Sequence, residues 1–228
     1  MQETGPSQNL RVMGMPTTSN LSDRAHAALL DRLRDGRLRS GTFLSMPVLV
    51  DLIGLPIAAM REAVKRAEAS GLLTIVPKRG VAVMDAGPQT TRDCLELRTM
   101  FDCEGARRII ASGGAFPLAA LRETHHQLLA EARADPACDL QQRAIRTDLS
   151  LHDALARGLD SPLAARLYGE NRDRIAVIQN TRPFVPDRIA PAMEEHLAIL
   201  DAIEARDSIR ADAAIRYHLR ETLRWWGV

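Results

Sequence analysis

Apolar residues recur at three-to-four spacing from Ala25 through Leu29 to Leu33, the period of one helix face. Ser22 in front of them is the expected N-cap, Leu21 a hydrophobic staple, and Gly36 the stop. After a turn through Ser40 and Gly41, the pattern predicts a short helix over 47–53 closed by Gly54. A longer one follows over 56–69, closed by Ser70 and Gly71. Two helices joined at Gly54 have the helix-turn-helix layout. Two β-rich runs, 72–76 and 81–84, flank Pro77-Lys78-Arg79-Gly80; this predicts a hairpin, and a hairpin after a helix-turn-helix is a wing. Residues 86–90 have the composition of a short linker. Amphipathic helices are then expected over 91–112, 117–133, 139–158, 161–181, 187–206 and 208–225, broken at short Gly- or Pro-containing stretches. Connections this short favour antiparallel neighbours. The expected architecture is mostly α: a winged helix-turn-helix over 21–85 and an all-α antiparallel six-helix bundle over 91–228. Residues 1–20, rich in Thr, Ser, Gly and Pro, are expected as a loose tail.

Composition supports this picture. Aromatic residues make up only 4% of the 228 residues against 46% hydrophobic overall, so the core is built from Leu, Ile, Val and Ala, as in helical bundles. The net charge of +1 excludes a wholly basic nucleic-acid coat, but it hides an asymmetry. Residues 21–85 carry ten Lys/Arg against seven Asp/Glu, whereas 86–228 carry nineteen against twenty-one. Cys94, Cys103 and Cys138 form no CxxC pair and no even framework, which points to apolar fillers in a reducing cytoplasm. No apolar run approaches the roughly 20 residues that span a bilayer, so no membrane association is expected.

The candidate chemistry lies in the second half. Asp148 and His152 stand one helical turn apart, His196 and His218 fall in two further helical stretches, and residues four apart share a helix face. A carboxylate with three imidazoles is the donor set of a divalent transition metal held between helices. It suits Zn²⁺ first, then Ni²⁺, Mn²⁺ or Fe²⁺, and suits Ca²⁺ or Mg²⁺ less. Four protein ligands leave one or two positions open on a five- or six-coordinate ion, which a small carboxylate can fill. The adjacent His125 and His126 lie in a polar helix and are expected at the surface, as is His26.

Several stretches align without gaps to a known pattern. They are Gly36-Arg37-Leu38-Arg39-Ser40-Gly41, then Ile53-Gly54-Leu55-Pro56-Ile57-Ala58-Ala59-Met60-Arg61-Glu62-Ala63-Val64, then Ala69-Ser70-Gly71-Leu72 and Arg79-Gly80. Together they resemble the winged-helix domain of GntR-type bacterial transcription regulators, over nearly all of 21–85. The resemblance implies DNA contact by Arg61, Lys65 and Arg66 on the third helix and by Lys78, Arg79 and Gly80 at the wing. Two arginines usual in that family are replaced here by Pro47 and Ile57. Neither can present the planar fork that meets guanine O6 and N7 together.

Leu95-Glu96-Leu97-Arg98, Asp148 through His152, Glu195 through Asp207 and His218-Leu219 resemble the FCD ligand-sensing domain of one large GntR branch. The six-helix count is closer to the vanillate-regulator-like subgroup. This resemblance implies a non-enzymatic regulator, expected to repress because promoter occlusion needs no further contact. It also implies a homodimer on a pseudo-palindromic double-stranded operator and an acidic effector bound with the help of Arg98. Arg98 has a second reading, as an intrahelical partner of Asp102 at i+4. The rival functions are a ligand-binding module with weak DNA affinity, suggested by Pro47 and Ile57, and a metalloenzyme using the open metal positions.

Overall fold

The computed structural model describes residues 20–135, 140–182 and 185–228. The expected tail, apart from Asn20, lies outside the described residues, and so does Cys138. The N-terminal unit runs α1 (Leu21–Arg34), β1 (Phe43–Leu44), α2 (Met46–Ile53), α3 (Ile57–Ala69), β2 (Leu73–Val76) and β3 (Gly80–Val83). The strands form an antiparallel sheet in the order β1-β3-β2, with Leu73 opposite Val83 and Phe43 opposite Ala82. Ala25, Leu29 and Leu33 of α1, Leu49 of α2, and Met60, Ala63 and Val64 of α3 close the small core with Leu72 and Val81. Burying each larger aliphatic side chain stabilises the domain by about 1.5–3 kcal/mol before ordering costs. This is the winged helix the sequence predicts, with three local differences. Asn20 caps α1, its side-chain oxygen accepting the Ser22 N–H at 3.3 Å, so Ser22 is not the cap. Leu21 is 47% exposed and staples nothing. The two-residue β1 was too short to leave a periodic signal.

The C-terminal unit is the expected six-helix bundle: α4 (Pro88–Ser112), α5 (Leu118–Ala134), α6 (Gln141–Arg157), α7 (Pro162–Thr181), α8 (Pro186–Glu204) and α9 (Ser208–Trp226). Pro88 occupies the first turn of α4, where a missing N–H costs nothing, so the helix starts inside the stretch 86–90 expected as a linker. Cys94 is buried and Cys103 partly so. At the chain end Trp226 packs against the core, whereas Trp225 stays 43% exposed. No helix among the described residues is long and apolar enough to cross a membrane.

Candidate metal centre

All six helices of the bundle send a polar side chain to one buried point. Asp148 and His152 project from one face of α6, His196 comes from α8 and His218 from α9, and all four are 2% exposed or less. The structure thus brings together the four residues the sequence singled out. One donor atom from each lies within 4.8 Å of the others. Asp148 Oδ1 stands 3.7 Å from His152 Nε2, 3.5 Å from His196 Nε2 and 3.9 Å from His218 Nε2, and the last two nitrogens are 3.3 Å apart. Bonds of about 2.0–2.1 Å to an ion put adjacent donors about 3.0–3.4 Å from one another, so a few tenths of an ångström close this set on a metal.

Protons are fixed by the outer partners, and those partners were missed by the sequence reading. Asp102 of α4 accepts from His152 Nδ1 at 2.8 Å, and Glu195 of α8 accepts from His218 Nδ1 at 2.7 Å. His125 is fully buried rather than at the surface. Its Nδ1 lies 2.6 Å from the Leu121 carbonyl, which can only accept, so the proton is on Nδ1 and Nε2 is an acceptor. His196 Nδ1, 3.1 Å away, must then donate to it. With the Nδ1 atoms of His152, His196 and His218 engaged by these outer partners, the three Nε2 atoms are left aimed inward at Asp148. The Nε2 of His152 has no hydrogen-bond partner, and that of His218 lies 3.3 Å from His196 Nε2 and 3.5 Å from the Arg98 guanidinium. A cation is what such a set accommodates, and the carboxylate–histidine pairs are the outer layer typical of metal sites.

The field agrees. Burial, aided by the nearby His218, holds His196 well below the ordinary imidazole range. Burial likewise depresses His125 and His218. Burial works against the Asp148 carboxylate, yet Arg98 and His152 outweigh it and keep Asp148 well below its usual value. For His152 burial and Arg98 push down, but Asp102 and Asp148 prevail and raise it.

Arg98 is 2% exposed and belongs to this centre. Its guanidinium donates to Asp148 Oδ2 at 3.3 Å, and its Nε stands 3.9 Å from Asp102 without a hydrogen bond, so the intrahelical pairing with Asp102 is present as a long ion pair. Gln179 of α7 donates to the same Asp148 oxygen at 2.7 Å. Arg188 clamps Glu195 through two bonds of 2.6 Å. Close helix approach makes these contacts possible. A Cβ at Gly105 would lie 2.1 Å from the Leu155 carbonyl oxygen, so the lack of one lets α4 sit against α6 and brings Asp102 to His152. A cleft of about 540 Å³ between α4 and α9 is lined by none of the four donors.

On the winged helix the candidate DNA residues are spread over α3 and the wing. Arg61, Lys78 and Arg79 are exposed, with the Arg79 guanidinium 5.6 Å from the centre of the Phe43 ring. Lys65 pairs with Glu62 at 3.0 Å and Arg66 with Asp23 at 2.8 Å, so both are partly engaged within the domain. Gly80 has a backbone reason to be glycine: φ is +146° and a Cβ would lie 2.1 Å from the Leu44 carbonyl oxygen. Pro47 and Ile57 are exposed on α2 and at the start of α3. His26 is half-buried, its Nδ1 3.4 Å from the Ala63 carbonyl, rather than free at the surface.

A winged helix joined to a helical bundle is the architecture of two-domain DNA-binding regulators. Family comparison makes this specific: residues 21–83 match the bacterial regulatory proteins of the gntR family and residues 93–221 match the FCD domain, and the chain belongs to the FCD-containing branch of that family. It is 26% identical over 208 residues to the uncharacterized HTH-type transcriptional regulator BphR of Paraburkholderia xenovorans (strain LB400), covering 86% of this chain and 82% of that protein. It is also 26% identical over 194 residues to the HTH-type transcriptional repressor GlaR of Escherichia coli (strain K12), covering 81% and 86%. Among solved structures, E. coli McbR/YncC superposes with a TM-score of 0.75 at 16% identity, covering 92% of this chain and 98% of that one, which shows the shared fold.

Proposed function

We propose that this DNA-binding regulator is a cytoplasmic repressor whose bundle holds one divalent transition metal, Zn²⁺ foremost, on Asp148, His152, His196 and His218. The metal presents an open position to a small carboxylate effector. The observation that carries the reading is the convergence of three Nε2 atoms and Asp148 Oδ1 in a buried site whose outer nitrogens are all engaged. When bound, the ion supplies a Lewis-acidic point for an oxygen ligand. Charge supports an anionic effector. With a divalent ion and neutral imidazoles, Arg98 and Arg188 set against Asp102, Asp148 and Glu195 leave one positive charge in excess, which a monocarboxylate balances. Arg98, whose guanidinium already holds Asp148 Oδ2 at 3.3 Å beside the donor cluster, is a cationic donor for it.

In this reading two copies bind as a homodimer, placing two α3 helices on a pseudo-palindromic operator. Arg61, Lys78 and Arg79 contact phosphate or base edges, Lys65 and Arg66 contribute once released from Glu62 and Asp23, and the Gly80 backbone passes close to the duplex at the wing. Native mass spectrometry of the purified chain, with metal analysis of the wild type and of a His152→Ala/His218→Ala double variant, tests the site. One ion per wild-type chain and none in the variant is expected; equal content in both removes these ligands from the account. A second reading, a metal-dependent binding module with little sequence-specific DNA affinity, is favoured by the 45% exposure of Ile57 at the start of the recognition helix. Selection from random duplexes decides between them, since the module retains none even at low salt.

A further inference from the structure

Two adjacent residues of α7 face opposite ways and hold opposite ends of the molecule. Gln179, 1% exposed, points into the bundle and donates to Asp148 Oδ2 at 2.7 Å. Asn180, about 100° further round the helix, points out and donates to the Arg34 carbonyl at the end of α1, also at 2.7 Å, while holding the Ala176 carbonyl at 2.9 Å. Two turns earlier on α7, Asp173 accepts from Arg34 Nε at 2.7 Å. The end of α1 is therefore gripped through both its backbone and its side chain. Gly36, just beyond, packs directly on the Asn180 side chain, and the Arg174 guanidinium lies against Gly71 at the exit of the recognition helix.

We propose that α7 is a strut joining the metal carboxylate to the seat of the winged helix, with Asn180 and Asp173 as positioning residues and Gln179 as their link to Asp148. This rests on the metal reading above. The carboxylate is shared: Oδ1 faces the three imidazoles and Oδ2 takes Gln179. Drawing the donors from 3.3–3.9 Å to the spacing an ion imposes turns or shifts the Asp148 carboxylate as a rigid group. Gln179 follows Oδ2 or loses its bond. Asn180, one rise of about 1.5 Å along the same hydrogen-bonded helix, cannot move independently of it. A close-packed interior passes such a shift on rather than absorbing it. The grip on Arg34, and with it the orientation of α1 and of the α3 packed against α1, then depends on whether the metal site is loaded.

Hydrogen exchange of the full-length protein, with Zn²⁺ or with a chelator, tests the strut. The readout is the amide of Leu38, which donates to the Arg32 carbonyl at 2.8 Å just beyond the gripped end of α1. In the wild type Zn²⁺ is expected to slow exchange there by roughly 5- to 150-fold, the span of ordinary site-to-site coupling. The Asn180→Ala/Arg34→Ala double variant, which removes both halves of the grip, should abolish that metal response, and each single variant should reduce it, while Zn²⁺ stoichiometry and metal-induced protection of α8 persist. A purely structural contact would instead speed exchange equally with and without Zn²⁺ and leave the ratio unchanged, which overturns the proposal. So does a wild type that binds Zn²⁺ without any response at Leu38. A wild type that binds no Zn²⁺ overturns both the strut and the metal reading, so the two failures are told apart.

Discussion

Asp148, His152, His196 and His218 have almost no contact with water and each is held by a dedicated outer partner, whereas Arg61, Lys78 and Arg79 keep their solvent shell on the winged helix. Lys65 and Arg66 pair with the nearby acids Glu62 and Asp23. The contrast fits what each region is proposed to bind. A small ion is held by geometry fixed in advance, because desolvated donors that shift by an ångström lose it. A duplex is a long polyanion, and contacts to its phosphates tolerate flexible, hydrated side chains whose worth depends on salt. Damage should therefore be steep and localised in the bundle, and shallow and distributed on the reader.

The largest effect should come from removing ligands. With free Zn²⁺ about a thousandfold above its Kd, binding stabilises the fold by about 4 kcal/mol. His196→Ala should lose that increment, so its melting temperature should no longer respond to a chelator; a chelator shift equal to that of the wild type would break the comparison. Next comes the outer layer. Asp102→Asn should weaken Zn²⁺ roughly 10- to 100-fold in a competition titration, about 1.4–2.7 kcal/mol, because the His152 proton loses its carboxylate. An unchanged affinity would mean the outer partners are passive. On the reader, Ile57→Arg should tighten binding to a GntR-type operator by up to about 1–3 kcal/mol, and Arg61→Ala should lower affinity and reduce the salt slope by about 1. Affinity untouched by Arg61→Ala, measured at two salt concentrations, would show that α3 does not face DNA as assigned. The smallest effect is that of Lys65→Ala on stability, within about 0.5 kcal/mol by thermal denaturation, since its pair with Glu62 is exposed.

The element pattern and the clustering of Asp148, His152, His196 and His218 were legible because helix periodicity and i, i+4 spacing are one-dimensional signals. What surrounds the ligands is not one-dimensional. Asp102 stands beside Arg98 in sequence as an intrahelical partner, yet its shortest bond reaches a histidine fifty positions away. Glu195 looks like any surface acid until Arg188 and His218 enclose it. His125 did carry a signal. With Leu121, Leu128 and Ala132 it occupies one stripe of α5, and all four are buried, whereas His126 is one step round the helix and exposed. Treating the two histidines as a pair hid the difference between them. β1 left no trace because two residues cannot show an alternation.

Gly105 gives the bundle an unequal tolerance to inheritance. It touches no ligand and would pass as filler in a long helix, yet the smallest possible replacement, a methyl group, meets the Leu155 carbonyl oxygen at 2.1 Å. Relieving that overlap means parting α4 from α6, the two helices that carry Asp102, Arg98, Asp148 and His152. A lineage can change arginines on the reader one at a time and drift gradually toward new operators. At this position it has no gradual route, so sensing and recognition are free to evolve at different speeds within one chain.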